Sequence, residues 1–142
     1  MADVQIPACG ALLNLSAHND SEIDIVSDGG IVAILTAMTE HSKVAAIQER
    51  ACGALCNLSA NNDSKITIVA KGGIVAILAA MKDHSKVADL QKQACGVLCS
   101  LFTHNDSKID ILAKGGMPAI LTAMKEHSKV ADVQQKACSA LN

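Results

Sequence analysis

A single aromatic side chain, Phe102, serves 142 residues; tryptophan and tyrosine are absent and there are two prolines. Without aromatic faces the chain can neither stack nucleic-acid bases nor cage a quaternary ammonium ion. A surplus of one charge is missing too. Twelve Lys and Arg stand against fourteen Asp and Glu, a formal net charge of −2, which leaves no electrostatic footprint for nucleic acid or an anionic lipid surface. Long apolar runs are also lacking, since the stretch from Gly72 to Met81 is about half a membrane span. The apolar segment Ile6 to Ala17 is no signal-peptide core: Asp3 stands where a basic leader belongs, and Asn14 interrupts the run. These absences imply no targeting or transmembrane segment, a cytoplasmic or nuclear setting, and no nucleic-acid or membrane partner. What is present is a chain 50% apolar and 18% charged. It is too apolar for disorder and long enough for one domain with a buried core.

The chain repeats itself. Asn19-Asp20-Ser21 returns as Asn62-Asp63-Ser64 and Asn105-Asp106-Ser107, and Gly29-Gly30 as Gly72-Gly73 and Gly115-Gly116. His41-Ser42-Lys43-Val44 recurs at His84 and His127, and Ala8-Cys9 at Ala51, Ala94 and Ala137, always 43 residues apart. Residues 19–61 and 62–104 share 27 identities in 43 without a gap. A period of this length marks a repeat array. The expected division is a partial unit over 1–18 (a third helix only), units over 19–61 and 62–104, and a C-terminally truncated unit over 105–142.

Each unit reads as three helices. The first, Ser21 to Asp28, has Asn-Asp-Ser as a polar cap and should stop at Gly29-Gly30, where glycine takes the left-handed conformation at little cost. The second, from Ile31 to about Thr39, sets Ile31, Ile34, Leu35 and Met38 on one face. The third, from about Lys43 to Ala60, does so with Val44, Ile47, Ala51, Leu55 and Leu58. Pro7 should start the first visible helix near residue 6 or 7. No segment alternates with period two, so the class is all-α.

The words Gly29-Gly30-Ile31-Val32-Ala33-Ile34-Leu35, Gly115-Gly116-Met117-Pro118-Ala119-Ile120-Leu121 and Ala51-Cys52-Gly53-Ala54-Leu55-Cys56-Asn57-Leu58 resemble the armadillo repeat over nearly the whole chain. HEAT repeats are of similar length but usually have two helices per unit, and the Gly-Gly break favours armadillo. The resemblance implies an all-α, right-handed superhelical solenoid of three-helix units. It also implies a concave row of third helices used to bind proteins or extended peptides.

Within that frame the chemistry-bearing residues read as scaffold. Cys52/Cys56 and Cys95/Cys99 lie four apart on third helices. Stacked helices are about 8–10 Å apart, too far for Cys9, Cys52, Cys95 and Cys138 to share one zinc ion or to form disulfides, so buried structural thiols are expected. His41, His84 and His127 should serve at second-helix C-termini. No nucleophile–base set and no phosphate loop is present, so no enzyme, cofactor or metal is expected. In peptide-binding armadillo proteins of the importin-α kind, Trp and Asn recur along the third helices. Here the Asn position holds Asn14, Asn57 and then Ser100, while the Trp position holds Gly10, Gly53, Gly96 and Ser139. Glu49, Lys92 and Gln135 lie one turn earlier and differ in charge. The candidate contact ladder is therefore Gly10, Asn14, Glu49, Gly53, Asn57, Lys92, Gly96 and Ser100, reading a partner by backbone hydrogen bonds and shape. Charge is divided along the chain: residues 1–49 carry seven acids and one Lys, residues 50–142 seven acids and eleven bases. Uncapped ends of opposite sign imply an alternative role, a structural block, natural or engineered, that self-assembles head to tail into a homo-oligomer.

Overall fold

Gly72 and Gly115 have φ of +84° and +86°, the left-handed backbone that an L side chain adopts only under strain. Each closes one helix and opens the next, and at Gly72 the two helices meet at 74°. Glycine thus makes the joint that the repeated Gly-Gly word predicts. In a computed structural model the structure describes residues 3–4, 6–8, 10–11 and 23–142. The helices are α1 (Ile23–Glu40), α2 (Ala45–Leu58), α3 (Asn62–Ala70), α4 (Gly73–Asp83), α5 (Ala88–Phe102), α6 (Asn105–Ala113), α7 (Gly116–Glu126) and α8 (Ala131–Leu141). The described residues between 3 and 11 are helical as well, and no strand occurs among the described residues. The chain is an all-α repeat solenoid: α3–α5 and α6–α8 are two successive three-helix units.

The apolar faces lie where their spacing places them. Ile31, Ile34, Leu35 and Met38 are buried, as are Ile47, Ala51, Leu55 and Leu58 on α2 and their counterparts Leu90, Ala94, Leu98 and Leu101 on α5. Each fully buried Leu or Ile is worth about 1.5–3 kcal/mol. One core runs through the units without interruption, as expected of units that cannot bury an apolar face alone. Third helices pack against one another along their length, α2 on α5 and α5 on α8, whereas second helices touch only in part.

Three local expectations need correction. First, α1 runs unbroken through Gly29-Gly30. A glycine inside a helix costs only about 1 kcal/mol, so the pair permits either a joint or a straight helix. Second, the cap lies one residue before Asn-Asp-Ser: the Asn61 side chain accepts the amides of Asp63 (2.8 Å) and Ser64 (3.2 Å), and Asn62 already belongs to α3. Third, helix lies on both sides of Pro7. Proline cannot donate the bond to the residue four before it, so the segment keeps its helical backbone there with one bond fewer.

Candidate functional site

The loop between second and third helix carries a device that repeats in each unit. Buried Gln91 on α5 donates from Nε2 to the carbonyls of Met81 (3.0 Å) and His84 (3.1 Å), capping the end of α4. Gln48 does the same for Met38 and His41, and Gln134 for Met124 and His127. The capped loop presents a histidine to the preceding unit. His84 Nε2 donates to the Ser42 carbonyl and His127 Nε2 to the Ser85 carbonyl, both at 2.7 Å. A lysine reaches the other way: Lys43 pairs with Asp83 at 2.8 Å, and Lys86 pairs with Glu126. These lysines hold the Asp83 and Glu126 carboxyls below the usual carboxylate range, through hydrogen bonding first and charge second. The histidines are the helix C-terminal residues that their position suggests, and they also join units.

The candidate ladder lies on α2 and α5 and on the helical segment before α1. Gly53 and Gly96 are buried, and a Cβ at Gly96 would stand 2.9 Å from Cys56 Sγ on the neighbouring third helix. Gly96 therefore sits directly against the neighbouring third helix. At Gly10 a Cβ would come to 3.1 Å from the Arg50 guanidinium. Glu49 and Asn57 are half-buried, and Asn57 already has a partner within the fold. Lys92 bonds to Asp132 of α8 at 3.1 Å, and the Ser100 hydroxyl donates to the Ser59 carbonyl at 2.7 Å. Asn14 lies outside the described residues, as does Cys9.

A family model described as the LRRK2 ARM repeat matches the chain over residues 1–141. The chain belongs to this ARM repeat family. No curated protein and no solved structure matches it. In this ARM array the cysteines follow the packing. Cys52 and Cys95 are buried, Cys56 and Cys99 half-buried, and Cys138 is exposed on α8, which no further third helix covers in this chain. Burial pushes the Cys52 and Cys95 thiols up to about 12, with a smaller push from neighbouring thiols. They are poor nucleophiles at neutral pH. Among the described residues no three His, Cys, Asp or Glu side chains gather as a metal site, and no single helix is long and apolar enough to cross a membrane.

Sequence reasoning overlooked the glutamines of the ARM loop. The signal was available: Gln48, Gln91 and Gln134 are identical at the 43-residue step, while the adjacent Glu49, Lys92 and Gln135 vary. A polar residue held constant beside a variable position marks a structural bond.

Proposed function

We propose that this ARM-repeat chain is a non-enzymatic interaction scaffold that binds a protein or an extended peptide along the concave row of third helices. The observation that carries this reading is the side-by-side packing of α2, α5 and α8, which brings equivalent positions of successive units into one ladder. Gly10, Gly53 and Gly96 keep the ladder narrow, and Asn14, Glu49, Asn57, Lys92 and Ser100 supply its polar groups. Ser100 and Lys92 tie adjacent third helices, so the ladder is rigid before a partner arrives, which lowers the entropy cost of binding. The flanking residues Glu49, Lys92 and Gln135 differ in charge and set no repeating charge code, so shape and backbone hydrogen bonding select the partner. A basic peptide of the nuclear-localisation kind should bind more weakly than micromolar. The five cysteines among the described residues form no disulfide, which suits a cytoplasmic or nuclear location. The test is selection from a displayed library of extended peptides, followed by affinity measurement on the double variant Asn14→Ala, Asn57→Ala. At least a tenfold loss is expected, and unchanged affinity would remove the ladder from the mechanism.

A second reading, self-assembly of the array, is favoured by the last unit's apolar face. Leu112 and Leu121 are 43% and 51% exposed, whereas their counterparts Val69 and Leu78 are half-buried against the core. A second copy stacked on that face would cover them in the way that one unit covers the unit before it. Light scattering over about a hundredfold range of concentration should show mass growth that slows in high salt. A constant monomer mass would dismiss this reading.

A further inference from the structure

Second helices make much less contact with one another than third helices do, and cavities open between them. Between α4 and α7 lies one of about 430 Å³, with Leu78, Met81, Ala119 and Ala123 as its apolar walls and Lys82 and Lys114 at its rim. One repeat earlier, between α1 and α4, its counterpart measures about 290 Å³. There Met38, Ala76 and Ala80 replace Met81, Ala119 and Ala123, while Thr39 takes the place of Lys82. Val75 and Pro118 occupy equivalent positions at the two mouths, and both are exposed. The repeat thus builds the same apolar recess twice, mainly from second helices, with the capping glutamines Gln48 and Gln91 of the third helices at its back and no ladder residue in its lining.

Charge distinguishes the two recesses. No acidic residue lines the larger one. Lys82 is exposed and has no carboxylate partner among the described residues, while Lys114 shares Asp110 at the surface. The smaller recess has Asp83 at its edge, already neutralised by Lys43. An occupant of the larger recess is therefore apolar where it enters and anionic where it leaves. Neighbouring helices are about 8–10 Å apart, the span of about three residues in the polyproline II conformation, whose side chains three apart share one face. One short stretch of polypeptide can consequently fill both recesses, whereas a compact small molecule fills one.

We propose that this face is a second docking site, for an acidic peptide segment. It would seat one apolar side chain between α4 and α7 and another between α1 and α4, with carboxylates against Lys82 and Lys114. The site is independent of the third-helix ladder, so either can fail alone. The test is titration of the isotope-labelled chain with the synthetic peptide Glu-Leu-Glu-Glu-Leu-Glu, followed by amide shifts. Saturable shifts are expected over residues 78–85 and 115–123, with little change at the ladder positions Gly53, Asn57, Gly96 and Ser100. Lys82→Glu, a surface change that leaves packing intact, should weaken binding at least fivefold, and Thr122→Trp at the mouth of the larger recess should abolish it. Replacing every Glu of the peptide by Lys should do the same. Shifts confined to the third helices, equal binding of the basic peptide, or unchanged affinity of Lys82→Glu would each overturn the proposal. A response to sodium dodecanoate without one to the peptide would also overturn it, by identifying a site for acyl carboxylates.

Discussion

Replacing Gln91 by leucine is expected to lower the unfolding free energy by about 2–4 kcal/mol, although the volume is nearly conserved. The side chain is 1% exposed and its amide caps two carbonyls at the end of α4. Leucine would leave the Met81 carbonyl buried without that donor. The His84 carbonyl would keep only its bond from the Val87 amide. The damage should also spread between units, because the loop that Gln91 holds is the one from which His84 reaches the Ser42 carbonyl. In a solenoid, stability is roughly the sum of unit and neighbour contributions, so a weakened neighbour contact should reduce cooperativity as well as midpoint. Gln134→Leu offers the comparison. It makes the same pair of bonds at 2.8 and 3.0 Å, but the residue is half-buried and water can replace the lost donor. Its cost should be about 1 kcal/mol. Chemical unfolding of the two variants measures the contrast; equal losses would show that the capping bonds are not what Gln91 contributes.

The contrast also shows which parts of this molecule were legible in its sequence. Features set within one helix could be read directly. The 43-residue words mark the unit, the i, i+3, i+4, i+7 spacing of Ile31, Ile34, Leu35 and Met38 marks the buried face, and Gly72 and Gly115 mark the joints. Features set by stacking could not. The carbonyl that His84 contacts lies 42 residues away, and the carboxylate that Lys43 pairs with lies 40 away. Those separations become distances only when the register of one unit on the next is known. The recess between α4 and α7 is similarly invisible, because it arises from how little successive second helices touch one another. The sequence pattern places glycine in the contact ladder but does not show what stands against it. Cys56, 2.9 Å from a Cβ built at Gly96, supplies the close approach. It also explains why a bulky aromatic residue has no room at that position.

The Gly-Gly word shows most sharply that identical sequence can meet different demands. Gly29, Gly72 and Gly115 are the same position in three units, yet only Gly72 and Gly115 have positive φ. Alanine at Gly72 must hold a left-handed backbone, at a cost of about 1–2 kcal/mol. Alanine at Gly73, one residue on, meets a different obstacle: its Cβ would lie 2.6 Å from the Ile68 carbonyl oxygen, and backbone cannot yield as a flexible side chain can. Opening the joint to admit it should cost about 1–3 kcal/mol. At Gly29 neither penalty applies. The residue lies within α1, and a Cβ there has nothing within 4 Å. Gly29→Ala should therefore stabilise the chain by about 0.5–1 kcal/mol, the usual gain when a helix-interior glycine is removed. Thermal unfolding of Gly29→Ala, Gly72→Ala and Gly73→Ala should give one midpoint above the parent and two below it. A loss at Gly29 similar to that at Gly72 would mean that the first unit bends at its glycine pair like the others, and that α1 is two helices in solution.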